Sequence, residues 1–313
     1  MKAQELLRLE RALFSAWMYW LTGGNSSRTK TAFIRTLSEV ETELQRSQGG
    51  DFFLGGKVSM VDFMFAPFLE RMAASMAFFK GFVIRVPPGD PTDFPAINKW
   101  FDAMEGLESY QLTKSDYYTH CWDLPPQLGG CTYDAPGKPY ENTINGDRTL
   151  DGERGSWELP LDKHNQGVEP DWDFLHQDEA AAKREAVERL SFNHKAIVSF
   201  AARGAGRKGM PPFSAPLSDP NAIAADSVLG SVDVSLKMVS IAMLDGVETT
   251  HSRMVQVADL MAQEGGVDQV NDVISSLSYL RDRVGVPRDM RLPAARQLRA
   301  HLNWCIGILL VRQ

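Results

Sequence analysis

Along most of this chain, apolar residues return at three- and four-residue steps. Across residues 2–22 the series is Leu6, Leu9, Leu13, Trp17 and Trp20, with Glu5, Arg8, Glu10 and Arg11 largely on other faces. That period predicts an amphipathic helix, stopped by Gly23-Gly24. A second helix is predicted from about Thr29 to Arg46, with Phe33, Leu37, Val40 and Leu44 inward. "SQGGDFF" then breaks the pattern. Phe63 to Phe79 is apolar on nearly every face, with Glu70 and Arg71 as its main charged interruption and Pro67 set to bend it. A helix of that kind belongs at the centre of a bundle.

The start of this apolar rod is marked. Ser59 stands at an N-cap position, where its hydroxyl can accept a free amide. Asp62, three residues on, can accept the Ser59 amide in return. The helix macrodipole favours an anion there, and Val58 with Phe63 are spaced for a hydrophobic staple. These assign Ser59 and Asp62 a structural role as a capping box. After the loop "RVPPGDPTDFP", "FPAINKWFDAMEGL" predicts a further helix with Pro95 early and Ile97, Trp100 and Met104 on one face.

Periodicity is weakest over residues 110–175, which carry Pro125-Pro126, Gly129-Gly130 and Asn145-Gly146. Mostly loop is expected, with a short helix or hairpin. So long a structureless segment is uncommon inside a compact domain. It reads as a linker wrapping the surface, held by Trp157, Trp172 and Phe174. Helical pattern returns at Asp178 and runs to Arg203-Gly204, acids first and bases last. A Pro/Gly-rich loop follows to about Asn221. Further helices are expected over 222–245 (around Val228, Val232, Leu236, Val239 and Met243), 250–264, 266–283 and Pro293–Val311. The fold class is therefore all-α, two bundles joined by an irregular middle. The expected divisions are 1–125, a linker over 126–175, and a second helical bundle over 176–313.

Composition is that of an ordinary globular protein, 43% hydrophobic and 23% charged. A net charge of -7 argues against general nucleic-acid binding, which needs a basic surface. No uninterrupted apolar segment at the start reads as a signal peptide, and no stretch reads as long enough to span a bilayer. Three cysteines, Cys121, Cys131 and Cys305, are too few for a disulfide scaffold. They favour a reducing compartment, with the cytoplasm as default and an organelle if an upstream targeting segment is missing. A Cys121–Cys131 bridge is disfavoured.

The first 120 or so residues resemble the C-terminal, all-helical domain of the glutathione transferase superfamily. "FFLGGKVSMVDFMFAPFLERM" carries the likeness: Phe53-Leu54, Gly55-Gly56, then Ser59 and Asp62 opening the central helix. "FPAINKWFDAM" resembles the family's next helix. The resemblance implies conjugation or thiol transfer to an electrophile. In the family a preceding thioredoxin-like domain supplies the Glu/Gln-Ser pair, the cis-proline and the catalytic Ser, Tyr or Cys. This sequence opens on the first bundle helix, so that domain is expected to have been lost upstream, or the chain to be a natural fragment. Val86-Pro87 and Glu108-Ser109 imitate its motifs only in composition. No catalytic residue is therefore assigned, and no cofactor in this chain; glutathione is implied only with an upstream domain. Phe14, Trp17 and Met18 are candidates for lining an apolar substrate pocket, the simpler expectation being that Trp17 and Trp20 are core or pack against the upstream domain. Absence of that domain would leave the first helix exposing an apolar patch, hence a protein partner or homodimer through that helix.

Other chemistry is thin. His120 and Cys121 could pair as base and nucleophile, but core packing suits neighbours in sequence better. His164, His176, His194, His251 and His301 show no metal spacing; His194 reads as a core or boundary histidine. "RGAGRKG" at 203–209 resembles a phosphate loop only loosely and reads as a solvated loop. Arg281, Arg283, Arg288, Arg291, Arg296 and Arg299 form a basic cluster, read either as a solvated face paired with the acidic middle or as a dock for an acidic partner.

Overall fold

The computed structural model describes residues 2–23, 27–47, 49–148, 150, 154–161, 168–169, 178–212 and 219–313. Among them the fold is all-helical. The β-type pairings are two isolated bridges, Phe52 with Gly55 and Arg207 with Ile223. The chain divides into two compact units: 1–152 with 167–172, and 153–166 with 173–313. Trp172, Phe174, His164 and His176 lie outside the described residues.

In the first unit, α1 (Lys2–Thr22) and α2 (Ser27–Gln45) pair through the stripes the sequence predicts. Trp20 and Phe33 each meet Phe82 edge-on and tilt against one another, at 5.4–5.9 Å between ring centres. The rod α3 (Met60–Lys80) runs through Pro67 and is buried on every side from Met72 to Lys80. It packs on α1 and on α6 and α7, introduced below. Each large apolar side chain buried along α3 contributes about 1.5–3 kcal/mol, so Phe65, Leu69, Met72, Phe78 and Phe79 make it the unit's principal apolar mass. Phe63, expected in a staple, is largely exposed instead. The helix α4 (Pro95–Glu105) returns against α2.

Residues 110–148, expected to be mostly loop, are largely helical. They contain the end of α5 (Glu108–Gln111), then α6 (Tyr117–Leu128) and α7 (Lys138–Ile144). The local signals were short-range. Asp116 caps α6 by accepting the Thr119 amide at 3.0 Å, and Gly129 closes it in the left-handed conformation. Pro125-Pro126 obscured this helix by standing inside it. The first unit accordingly runs to residue 152 rather than 125.

Among the described residues the second unit holds five further α-helices. One helix was expected over 178–203. The chain instead breaks at Asn193 (φ -134°, ψ 40°) into α8 (Glu179–Phe192) and α9 (His194–Ala201), which leaves His194 exposed. α10 (Leu229–Asp245) begins after a short turn, with Val232, Leu236, Val239 and Met243 in the core. By length and composition alone Asp226–Asp245 is apolar enough to cross a bilayer, a test that core helices also pass. Its core-facing stripe and the Asp233–Lys237 pair on its exposed side suit an amphipathic helix packed in the unit. α11 (Val247–Arg281) consists of two arms meeting at Gly266, whose φ of 70° only glycine adopts readily; two helices were expected there. α12 (Leu292–Leu310) closes the bundle on α8, α10 and α11. Trp157 is buried in this unit: its ring lies 4.8 Å from the Arg299 guanidinium, and its carbonyl accepts from the Asn303 amide at 3.0 Å.

Candidate functional site

The polar centre of the first unit is a buried carboxylate. Asp62 accepts the Ser59 amide at 2.8 Å and the Ser59 hydroxyl at 2.7 Å through Oδ2. Through Oδ1 it accepts the Phe53 amide at 3.0 Å and the Trp100 indole N–H at 2.9 Å. One side chain therefore joins the entry loop, the start of α3 and the middle of α4. The rings of Phe53 and Phe65 stack at 4.2 Å beside it. A second buried carboxylate plays the same part for α4. Phe94 stands at its N-cap without a side-chain acceptor, and Glu41 of α2 accepts the Ala96 and Ile97 amides, each at 2.8 Å. The sequence pattern revealed the Ser59–Asp62 box but not the reach of Asp62 to Trp100, nor Glu41, because these bonds connect residues far apart in the chain.

Residues 25–103 match the family model of the glutathione S-transferase C-terminal domain. The first unit carries a glutathione S-transferase C-terminal-like domain. Asp62, Glu41, Phe53 and Trp100 all fall within the matched span. No curated protein and no solved structure matches the chain.

In this transferase-like domain, the three pocket candidates separate. Trp17 is core, and its indole donates to the Ser75 hydroxyl of α3 at 3.0 Å. Trp20 is core as well. Phe14 and Met18 are half-buried. Phe14 packs edge-on against Phe68 at 5.0 Å, with the Arg11 guanidinium about 5 Å from both rings. Arg11 is held in turn by Glu10, bound at 2.6 Å through Nε. α3 carries an exposed apolar strip of Met60 (72% exposed), Phe63 (44%) and Met64 (38%), with Pro67, at steps of three and four residues, and α1 exposes Tyr19.

His120 and Cys121 do not form a nucleophile and base. Cys121 is fully buried, and burial pushes its thiol well up from the ordinary range. His120 Nε2 faces Glu70 Oε2 at 3.3 Å instead. Burial likewise pushes Cys131 up to about 11, and raises the phenols of Tyr110 and Tyr117. Cys121 and Cys131 are free thiols. Below α3, Arg85 donates to Glu105 at 2.6 Å, and Lys114 donates to the other oxygen of Glu105 at 3.2 Å. This closed, compensated network leaves little to offer a substrate.

Val86-Pro87 is not among the cis peptides, and Glu108-Ser109 opens the short helix α5. No group of three or more His, Cys, Asp or Glu among the described residues is placed to hold a metal ion.

Proposed function

We propose that this is a glutathione S-transferase-related protein whose described residues supply the helical half of such an enzyme, and not the thiol-activating half. Residues 25–103, matching the C-terminal domain, carry the reading. The state of the thiols and phenols supports its second part. A glutathione thiol is activated where the anion is stabilised, whereas Cys121, Cys131, Tyr110 and Tyr117 are all driven towards their neutral forms by burial. The strip Met60, Phe63 and Met64 is the surface we assign to a partner, in place of the first helix, whose Trp17 and Trp20 are spent inside the unit. The occupant we assign to it, as the resemblance implies, is a glutathione-activating, thioredoxin-like domain. Free cysteines throughout the described residues fit a reducing compartment, and we place the protein in the cytoplasm.

The test is direct. The purified chain is assayed for retention on immobilised glutathione and for conjugation of chlorodinitrobenzene, alone and as a fusion behind a thioredoxin-like glutathione-activating domain. The expected result is no retention and no turnover alone, with turnover in the fusion. Glutathione-dependent turnover by the chain alone would overturn the proposal. A folded but inactive fusion would instead favour a second reading, a non-catalytic scaffold, which the exposed α3 strip equally supports.

A further inference from the structure

The second unit contains a cavity of about 820 Å³. It lies between α8, α9, the end of α11 and the turn before α12, outside the residues matched to the transferase domain. Its volume suits a small organic ligand. Ile197, Phe200, Leu280, Val284, Met290 and Leu298 give it an apolar wall. Three separate stretches of sequence bring cations to that wall, the exposed Arg189 coming from α8. Arg203 opens "RGAGRKG", and Arg283 and Arg288 come from the C-terminal arginine cluster.

These arginines are not equivalent. Arg288 is held by Asp289 through a two-pronged contact at 2.8 and 3.0 Å. Arg203 and Arg283 have no carboxylate within ion-pair distance among the described residues. Arg203 gives one N–H to the Asp219 backbone carbonyl at 3.3 Å and lies 5.2 Å from the Phe200 ring. Arg283 lies flat on Tyr279, 3.5 Å from the ring centre, and its Nε is buried without a hydrogen-bond partner. In a protein of net charge -7, two half-buried cations without counter-ions beside an apolar wall are costly unless an anion joins them. The arginine cluster is thus neither one solvated face nor one dock. Arg291 binds Glu185, Arg281 binds Asp282, and Arg299 is fully buried.

Asp219 sets the charge the cavity accepts. It lines the same wall, and its Oδ1 is buried with no donor. With Arg288 paired to Asp289, Arg203, Arg283 and the exposed Arg189 outnumber this one carboxylate, so the lining is net positive and suits an anionic head group. Inorganic phosphate has no apolar body to set against Ile197, Phe200, Leu280 and Leu298, whereas an amphipathic acid fills that wall. The glycines of "RGAGRKG" serve the backbone rather than an anion: a Cβ on Gly206 would stand 1.8 Å from the Ile223 carbonyl oxygen.

We propose that this cavity binds an amphipathic monocarboxylate, its acid group between Arg203 and Arg283 and its apolar body against Phe200, Ile197, Leu280 and Leu298. The proposal does not depend on the transferase reading, since it concerns the other unit. Isothermal titration of the full chain with octanoate, 1-octanol and inorganic phosphate tests it. Octanoate is expected to bind at one site, with octanol and phosphate each weaker by about tenfold or more, the worth of a charge-assisted hydrogen bond. Arg283→Gln and Arg203→Gln should each weaken octanoate by about the same factor. Ile197→Trp, a half-exposed position, keeps both guanidiniums and should block octanoate by filling the wall. Absence of octanoate binding, equal binding of octanol or phosphate, or wild-type affinity in the three variants would each overturn the proposal.

Discussion

The indole N–H of Trp100 donates to Oδ1 of Asp62 at 2.9 Å, across 38 positions of sequence. Both groups are fully buried. The bond means that the residue capping the central helix also fixes the helix that follows it. Replacing Asp62 by Ala would orphan the Ser59 amide, the Phe53 amide and the Trp100 indole together. A lost surface cap costs about 1 kcal/mol; two buried donors and the half-buried Ser59 amide left without an acceptor raise the expected loss to about 3–5 kcal/mol. Urea denaturation of Asp62→Ala measures it. A double-mutant cycle with Trp100→Phe should give a coupling of about 1 kcal/mol or more. Additive effects would mean the contact contributes nothing.

Glu41 stabilises α4 from outside it. Pro95 has no N–H, so Ala96 and Ile97 carry the first free amides of that helix, and Glu41 takes one with each oxygen. Glu41→Ala is expected to cost about 2 kcal/mol and to speed amide exchange at Ala96 and Ile97 before the rest of the unit. Glu41→Gln, keeping one acceptor, should fall between. Unchanged exchange at those two amides would remove Glu41 from this role.

What the sequence disclosed follows how local each interaction is. The stripes on α1 and α2, the capping box at Ser59 and the break between the arms of α11 are all written within a few residues of themselves. α6 and α7 were obscured because Pro125-Pro126 and Asn145-Gly146 signal turns, although Asp116 and Gly129 stood at the right places to cap a helix. The break at Asn193 was missed because the apolar period continues across it. Asp62 to Trp100, Glu41 to Ile97, and Arg203 beside Arg283 need the fold before they exist at all. The candidate pocket on the first helix was half legible: Phe14 and Met18 stay near the surface, but burial of Trp17 depends on Ser75, which no period announces.

The cysteines should be slow to react. Burial sets Cys131 at about 11 and Cys305 at about 12, and raises Cys121. At pH 8 a thiol of pKa 11 is about 0.1% thiolate, against about a quarter for an ordinary cysteine, so Cys131 should react with a disulfide reagent at least about a hundredfold slower than a free thiol. Three thiols should titrate in denaturant and none promptly in the native protein. A rapid native equivalent would contradict the raised pKa of the half-buried Cys131.

His301 gives the second unit a directional dependence on pH. It is buried on α12, and in its neutral form Nδ1–H donates to the Gln297 carbonyl at 2.7 Å. Burial lowers its pKa from 6.5 to about 4; the bond to Gln297 opposes this, Lys183 adds to it and Glu179 opposes it. Between those values the unfolded chain binds a proton that the folded chain refuses. Stability is therefore unaffected by His301 above about pH 6.5 and falls as the pH drops towards 4. From pH 7 to pH 5 the loss amounts to about 2 kcal/mol, taking about 1.4 kcal/mol for each pH unit inside the window. Chemical denaturation of the wild type and His301→Gln across pH 5–7 separates this group from the carboxylates, because the variant should lose most of the slope. An equal slope in both proteins would place the sensitivity elsewhere.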